Sequence, residues 1–260
     1  MNLEGKVVLV AGTGPGLGRR IAAAALRDGA SVVLGARSET SLAKIADELD
    51  PSGERVAWQA ADVRDPELCR RLAGLAADRF GKLDALVSCA ALDSLLGGIE
   101  HADWDRWRET FDIIVFGTMQ MTQAALPYLR VAGGAIVFIA SQTMFAPPPQ
   151  AIQTAYAASK GALLSAMYHL AQELGPSGIR VNTVVPGWMW GPSVQYYVDA
   201  AARARGVSAE QVLAGITKDM PLGQMATDAD VAEAVLFFAS DHARAITGQS
   251  LLVNAGEVMR

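Results

Sequence analysis

Short apolar runs, rich in β-branched residues, alternate with longer amphipathic segments along this chain. The runs predict buried strands at residues 7–11, 31–36, 56–60, 83–88, 135–140, 180–185 and 250–253. Apolar residues recur at helical spacing between them, which predicts helices at 17–28, 41–49, 66–80, 104–130, 154–174 and 228–239. This alternation predicts an α/β fold: a doubly wound parallel sheet of about seven strands with helices on both faces. Ligands of such folds bind at the carboxyl ends of the strands, where the strand order reverses.

The composition favours a single domain spanning residues 1–260. Apolar residues make up 51% of the chain and charged residues 19%, and no linker or repeat interrupts it. A net charge of −5 without a basic run argues against a nucleic-acid partner. Neither a membrane span nor a signal peptide is recognisable, so we expect a cytoplasmic protein with no membrane partner. Cys69 and Cys89 lack metal-ligand spacing, which predicts free thiols and no metal site.

A glycine-rich turn joins the first predicted strand to the first predicted helix, with glycines at positions 12, 16 and 18. Glycines let the backbone approach a pyrophosphate closely, and the helix N-terminus offers N–H groups and the positive end of its dipole. The spacing is G-x-x-x-G-x-G, because Leu17 stands where the common dinucleotide motif has its third glycine. We interpret the segment as a phosphate-binding turn, and an ordinary strand–helix turn is the alternative.

The end of the second predicted strand indicates which dinucleotide is bound. Ala36 stands where an NAD-binding protein has an acidic residue, and Arg37 follows it. A guanidinium can pair with a 2′-phosphate, so NADP(H) is favoured over NAD(H), unless Arg37 only caps the strand in solvent. After the third strand, Asp62 and Val63 would suit a contact to the adenine amino group. An ordinary loop aspartate is the alternative for Asp62.

A tyrosine and a lysine, Tyr156 and Lys160, lie four residues apart in a predicted helix and therefore share one of its faces. A phenol keeps its proton until about pH 10, and an ammonium beside it lowers that pKa. Such a tyrosine can exchange a proton with an alcohol or a carbonyl oxygen near neutral pH. The pair also recurs on many solvated helices, so its meaning depends on the rest of the chain.

Several further motifs occur in a characteristic order with these residues: Ser141, Asn182, the pair Pro186 and Gly187, and the stretch 246–249 (Ile-Thr-Gly-Gln). Together the motifs resemble those of the short-chain dehydrogenase/reductase family over essentially the whole chain. The resemblance implies a single Rossmann-type domain and hydride exchange between a nicotinamide cofactor and a carbonyl or carbinol carbon. It also implies a homotetramer or dimer, with the long helices of the fourth and fifth crossovers at the interface.

The resemblance also implies roles for individual residues. Tyr156 would be the general acid/base, Lys160 would lower its pKa and bind the nicotinamide ribose, and Ser141 would hold the substrate oxygen. Pro186 and Gly187 would shape the nicotinamide pocket. The implied cofactor contacts are Gly12, Thr13, Gly16, Leu17, Gly18, Arg37, Asp62, Val63, Ala90, Tyr156, Lys160, Pro186 and Gly187.

Four features depart from the family pattern. The spacing from Ser141 to Tyr156 is about two residues longer than usual, with three prolines in the loop at 147–149. Ile114 stands where the family has an asparagine that helps to link the lysine to solvent through water, and Thr118, one turn on, could partly substitute. The family's Asn-Asn-Ala-Gly reads Ser-Cys-Ala-Ala at 88–91, which affects fine contacts near the cofactor. Gly191 replaces a threonine, so a side-chain contact to the carboxamide is absent.

Large side chains just after Gly187 indicate the substrate class. They are Trp188, Met189, Trp190, Tyr196 and Tyr197. In the family this region, here about 188–222, is a lid over the substrate, and Met144 and Phe145 would add apolar wall. We therefore expect a small-molecule substrate that is hydrophobic or cyclic, contacted by Met144, Phe145, Trp188 and Trp190. Core packing of Trp188 and Met189 is the alternative.

The sequence thus predicts an NADP(H)-dependent ketone reductase or alcohol dehydrogenase. A cofactor-binding redox sensor without turnover is the alternative, and Ile114 and the altered stretch 88–91 are its support. A sensor needs no proton donor, so the presence of Ser141, Tyr156 and Lys160 argues against it. Dehydration or epimerisation on the same scaffold is a third possibility.

Overall fold

The structure, a computed structural model, describes residues 3–92, 97–131, 133–148 and 152–260. The strands in these ranges are β1 (Val7–Ala11), β2 (Ser31–Ala36), β3 (Val56–Ala60), β4 (Ala85–Ser88), β5 (Gly134–Ile139), β6 (Ile179–Pro186), β7 (Met189–Trp190), β8 (Ala226–Thr227) and β9 (Ser250–Val253). The α-helices are α1 (Leu17–Arg27), α2 (Glu39–Leu49), α3 (Pro66–Phe80), α4 (Trp104–Phe111), α5 (Gly117–Leu129), α6 (Thr154–Leu174), α7 (Pro192–Arg205), α8 (Ala209–Thr217) and α9 (Asp228–Ala239).

Seven strands form one parallel sheet in the order β3-β2-β1-β4-β5-β6-β9. The strand order reverses between β1 and β4, because the first three strands build outward from β1 on one side and the later strands build outward from β4 on the other. The crevice at the carboxyl ends of these two strands is therefore the place where such a sheet binds its ligand. The predicted doubly wound parallel sheet is confirmed.

Two apolar cores lie on opposite faces of the sheet, because successive strand residues point to opposite faces. Val8 and Val10 of β1 belong to the core beneath α1, α2 and α9, whereas Val7 and Leu9 belong to the core beneath α3, α5 and α6. Strands that are buried on both faces read as continuous apolar runs, which explains why their positions could be predicted from the sequence.

The prediction of one helix over 104–130 is wrong in one respect. The helix is interrupted by a π-helical turn at Asp112–Phe116, which joins α4 to α5. Such a turn inserts one extra residue into the helical ladder and is frequent at functional sites. It carries Ile114, whose side chain is fully buried in the core beneath α3, α5 and α6.

The segment after β6 forms a small unit of its own. Strands β7 and β8 pair through Met189 and Ala226, and α7 and α8 enclose a third apolar cluster. The buried members of that cluster are Val198, Val212, Ile216, Met220 and Met225. In the described part of the chain, no helix is both long and apolar enough to cross a membrane.

Candidate active site at the carboxyl edge of the sheet

The glycine turn after β1 packs against the segment that follows β4. A Cβ on Gly12 would lie 2.3 Å from the backbone nitrogen of Ala90, and Gly12 adopts φ +98°. A Cβ on Gly18 would lie 2.8 Å from the carbonyl oxygen of Gly12, whereas Gly14 has nothing within 4 Å. Two of these glycines are therefore required by close backbone packing, and Gly14 faces open space.

A cavity of about 270 Å³ opens beside this turn. It brings together five of the predicted cofactor-binding residues from the loops after β1, β2, β3 and β4: Gly12, Arg37, Asp62, Val63 and Ala90. A second cavity of about 540 Å³ is lined by Thr13, Ser38 and Ser41, and again by Arg37. Arg37 therefore borders both cavities, at the end of β2 and beside the N-terminus of α2.

Asp62 binds a partner that the sequence did not indicate. The Arg64 guanidinium donates to both carboxylate oxygens of Asp62, at 2.6 Å from Nη2 to Oδ2 and 3.0 Å from Nε to Oδ1. The hydrogen bonds from Arg64 lower the pKa of Asp62, and the positive charge of Arg37 acts in the same direction. Asp62 is thus an ionised carboxylate at the wall of the first cavity.

The three residues predicted to be catalytic lie just after β5 and on α6, and residues 149–151 of the loop between them are outside the described residues. Ser141 follows β5 and caps a short 3₁₀ turn, and its Oγ accepts hydrogen bonds from Thr143 N at 3.3 Å and Thr143 Oγ1 at 3.0 Å. Tyr156 stands half-buried in the first turn of α6, and Lys160 is fully buried one turn later. Lys160 Nζ donates to the carbonyl oxygen of Ile139 at 2.6 Å.

The departures from the family pattern near Ile114 and at 88–91 involve buried side chains. Thr118, the suggested substitute for the missing asparagine, is buried and shares a 3.1 Å hydrogen bond with the Ser88 hydroxyl. Burial raises the pKa of the Cys89 thiol to about 12, against the opposing effect of the Lys160 charge. The Thr118 hydroxyl is therefore directed to Ser88, and Cys89 stays a neutral thiol in the cavity wall.

Gly187 faces two polar side chains that were not identified from the sequence. A Cβ on Gly187 would lie 2.7 Å from Gln142 Oε1 and 2.7 Å from Asn254 Cβ, so only glycine fits without a shift. Asn254 Nδ2 donates to Gln142 Oε1 at 3.0 Å, and Gln142 Nε2 donates to Glu257 Oε2 at 2.6 Å. These residues come from the segments that follow β9 and β5, and in the sequence only the glycine at 187 indicated close packing here.

A carboxyl group, also missed, lies between the glycine turn and the start of α7. Asp228, the first residue of α9, has Oδ1 at 3.0 Å from the position of a Cβ on Gly191, and Oδ2 at 3.6 Å from that of a Cβ on Gly16. Burial raises the pKa of Asp228, and the positive charge of Arg20 partly offsets this effect.

The apolar side chains predicted to contact a substrate pack in different clusters. Met144 and Phe145 pack with Tyr156 against the core beneath α3, α5 and α6. The Trp188 ring contacts the Tyr197 ring at a centroid distance of 5.3 Å in the third cluster, and Trp190 is exposed. Met189 packs against the opposite core, so Trp188 and Met189 both have packing partners.

Asn182 has a role in the fold. Its Nδ2 donates to the Ile246 carbonyl oxygen at 2.9 Å, and its Oδ1 accepts from Gln249 N at 3.0 Å. It therefore fixes the stretch that leads into β9. Among the described residues, no group of three or more His, Cys, Asp or Glu side chains is arranged to hold a metal ion.

Comparisons with known proteins extend over almost the whole chain. A family profile described as enoyl-(acyl carrier protein) reductase matches residues 11–257. An uncharacterized oxidoreductase of Methylorubrum extorquens is 35% identical over 98% of both chains. The 3-oxoacyl-(acyl-carrier-protein) reductase FabG of Thermotoga maritima is 30% identical over 100% of both. A solved short-chain type dehydrogenase/reductase of Mycobacterium ulcerans superposes with a TM-score of 0.89 at 29% identity, over 99% of this chain and 91% of that one.

Proposed function

Because the chain belongs to the short-chain dehydrogenase/reductase family, we propose that it exchanges hydride between NADP(H) and the carbonyl or carbinol carbon of an apolar ketone or alcohol. The family makes the chain an oxidoreductase with a nicotinamide cofactor. The observation that carries the specific proposal is the pairing of Tyr156 with Lys160 at the end of the strand that leads into Ser141.

The residues at the glycine turn fit a dinucleotide. Gly12 and Gly18 keep the turn tight, and Gly14 leaves open space where a larger group can lie. Arg37 borders both cavities, and Ala36 leaves out the carboxylate that would repel a 2′-phosphate, which supports NADP(H) over NAD(H). When bound, the nicotinamide supplies or accepts the hydride. The adenosine end of the dinucleotide would be held by Gly12, Arg37, Asp62, Val63 and Ala90.

The protein would control the proton at the substrate oxygen. Tyr156 would donate it during reduction and remove it during oxidation. Lys160, with one of its hydrogen bonds given to Ile139, would hold its charge beside the phenol. Ser141 Oγ accepts two hydrogen bonds from Thr143, so its own hydrogen is left to donate to the substrate oxygen. That donor would stabilise negative charge developing on the oxygen.

An apolar substrate is supported by the side chains around this oxygen site. Met144 and Phe145 follow Ser141 in the chain and pack with Tyr156 against one core. We propose that residues 188–222 form a lid over the substrate, with Trp188 and Trp190 at its edge. The separate apolar cluster of α7 and α8 supports this proposal, because a unit with its own small core can move as one body.

We also propose that the protein is a homo-oligomer. Large apolar side chains stand exposed on α4, on α6 and in the π-helical turn: Trp104, Phe116 and Tyr168 are each at least half exposed. Large exposed apolar side chains are usual where another chain docks. Light scattering coupled to size-exclusion chromatography gives the molar mass directly, and a monomer would contradict the proposal.

Turnover with NADPH tests the function. The protein would be mixed with NADPH and a panel of cyclic and open-chain ketones, with a 3-oxoacyl thioester included because one relative is named for that substrate. Absorbance of the reduced nicotinamide reports turnover. Tyr156→Phe should reduce kcat by about 10² to 10⁴ without changing the Kd for NADPH.

Tyr168→Phe is the matched control, since it removes a phenol hydroxyl from the same helix and keeps the ring that the proposed interface would use. It should keep wild-type turnover. Tight NADPH binding without turnover on any substrate of the panel would instead favour a redox sensor. Equal loss in both tyrosine variants would remove the proton-transfer role from Tyr156.

A further inference from the structure

A strained turn follows β9 and brings the chain back across the end of β6. Ala255 adopts φ +56° and Gly256 φ +86°, and the left-handed region is unfavourable for a residue with a Cβ such as Ala255. Asn254 holds the turn, because its Oδ1 accepts from Gly256 N at 3.1 Å and its Nδ2 donates to the Val258 carbonyl oxygen at 2.9 Å. The turn places Glu257 next to Gln142, 115 positions away in the sequence.

Both ends of the Gln142 amide are bound by this turn. Its Nε2 donates to Glu257 Oε2 at 2.6 Å, and its Oε1 accepts from Asn254 Nδ2 at 3.0 Å. Only 6% of Gln142 is exposed, so water cannot readily replace these partners. The side-chain amide is therefore fixed in orientation.

The backbone of Gln142 organises the residues around it. Its carbonyl oxygen accepts from Phe145 N at 2.9 Å and from Ala146 N at 3.0 Å, and it directly follows Ser141. The Ser141 hydroxyl is held in turn by Thr143, inside the same 3₁₀ turn. A shift of Gln142 would therefore move Ser141 on one side and Phe145 on the other.

We propose that Glu257 is a positioning residue: through its hydrogen bond with Gln142, it fixes the positions of the Ser141 hydroxyl and of the Phe145 side chain. The inference rests on the proposed function of Ser141. A hydroxyl that stabilises charge on the substrate oxygen must be held to a fraction of an ångström, and a neighbouring carboxylate–amide contact is a suitable support for it. Gly187 is glycine in this arrangement because the Gln142–Asn254 bridge occupies the space of its side chain.

A reciprocal exchange tests the contact kinetically. Glu257→Ala should lower kcat/KM for the ketone roughly ten- to hundredfold, with an unchanged Kd for NADPH. Gln142→Glu should be equally poor, because two carboxylates then face each other. The double variant Gln142→Glu with Glu257→Gln restores a carboxylate–amide pair and keeps an acceptor for Asn254, so it should recover near wild-type kcat/KM.

Glu54→Ala is the matched control, since this glutamate is exposed in the turn before β3, at the opposite edge of the sheet. It should behave as the wild type. If the double variant is no better than Gln142→Glu alone, the proposal is overturned. It is also overturned if Glu257→Ala loses NADPH affinity and thermal stability in proportion to activity, because that pattern describes a purely structural role.

Hydrogen exchange gives a readout that needs no substrate. Glu257→Ala should speed exchange at peptides covering 141–146, whose amides donate within the 3₁₀ turn, and leave peptides from β1 unchanged. Unchanged exchange at 141–146 overturns the inference even if turnover falls. A wild-type protein that shows no turnover on the panel, yet shows this local change, would refute the proposed function and keep the positioning contact.

Discussion

The Nζ of Lys160 lies 5.5 Å from the centroid of the Tyr156 ring and donates a 2.6 Å hydrogen bond to the carbonyl oxygen of Ile139. Ile139 is the last residue of β5, and Ser141 follows two residues later. One buried ammonium therefore connects the helix that carries the tyrosine with the strand that leads to the serine. The relative position of all three residues depends on this connection.

Replacing Lys160 by methionine tests the effect of its charge without changing the length of its side chain much. Lys160→Met keeps a long side chain but removes the ammonium, so we expect kcat/KM to fall by about 10²-fold or more. The Ile139 carbonyl oxygen loses a charged donor, which should lower the free energy of unfolding by about 1–3 kcal/mol. Steady-state kinetics and urea unfolding measure the two effects. Lys44→Met, at an exposed lysine of α2, is the control, and wild-type activity in Lys160→Met would contradict the assignment.

The choice of dinucleotide rests on Arg37. Arg37→Ala should raise the Kd for NADPH about ten- to hundredfold, since a charge-assisted contact to the 2′-phosphate is lost, and should leave the Kd for NADH nearly unchanged. Titration calorimetry with both cofactors measures the difference. Arg130→Ala, an exposed residue at the end of α5, provides a control of equal charge change. An equal loss of affinity for the two cofactors would remove the 2′-phosphate role from Arg37.

The long elements were predictable because their apolar residues repeat without interruption. Helices 66–80, 154–174 and 228–239 have the predicted bounds, and the strands buried on both faces read as continuous apolar runs. The start of α2 differs by two residues, because Ser38 caps the helix by accepting from Ser41 N and thereby admits Glu39 as its first residue. Such ends depend on one local hydrogen bond rather than on a repeating pattern.

The π-helical turn and the polar contacts of the site could not be predicted in the same way. One inserted residue at Asp112–Phe116 leaves the apolar pattern of 104–130 almost unchanged, so the sequence favours a continuous helix. The bond between Gln142 and Glu257 exists only because β9 lies beside β6, which in turn lies beside β5. Contacts of this kind follow from the strand order and cannot be predicted from the spacing of residues along the chain.

Asp228 should make cofactor binding depend on pH. Burial raises its pKa, so the folded protein holds this proton more tightly than the unfolded chain. The stability that the proton contributes is complete below the unfolded pKa and is lost as the pH rises through the folded pKa. Above the folded pKa the carboxylate is ionised close to Gly16, where its negative charge would repel that of a pyrophosphate.

Asp228→Asn should therefore bind NADPH about fivefold more tightly above the folded pKa, where it removes a like charge, and this gain should shrink as the pH falls through that pKa. Affinity measured by fluorescence titration across pH 4.5–8 checks the trend. Asp199→Asn, in α7, is a control for the loss of one negative charge. Weaker NADPH binding by Asp228→Asn at pH 7 would show that the carboxylate contacts the cofactor favourably.

Two glycines of the same turn should respond oppositely to alanine. A Cβ on Gly12 would meet backbone atoms of residues 89 and 90 at 2.3–2.7 Å, and the φ of Gly12, +98°, is unfavourable for alanine. Gly12→Ala should therefore lower the free energy of unfolding by more than about 3 kcal/mol. Gly14 has a φ outside the left-handed region, and a Cβ there would have nothing within 4 Å. Gly14→Ala should therefore leave the free energy of unfolding unchanged or raise it by up to about 1 kcal/mol, because alanine restricts the unfolded chain. Urea unfolding without cofactor measures both, and comparable destabilisation of the two variants would contradict the close approach of Gly12 to the β4 segment.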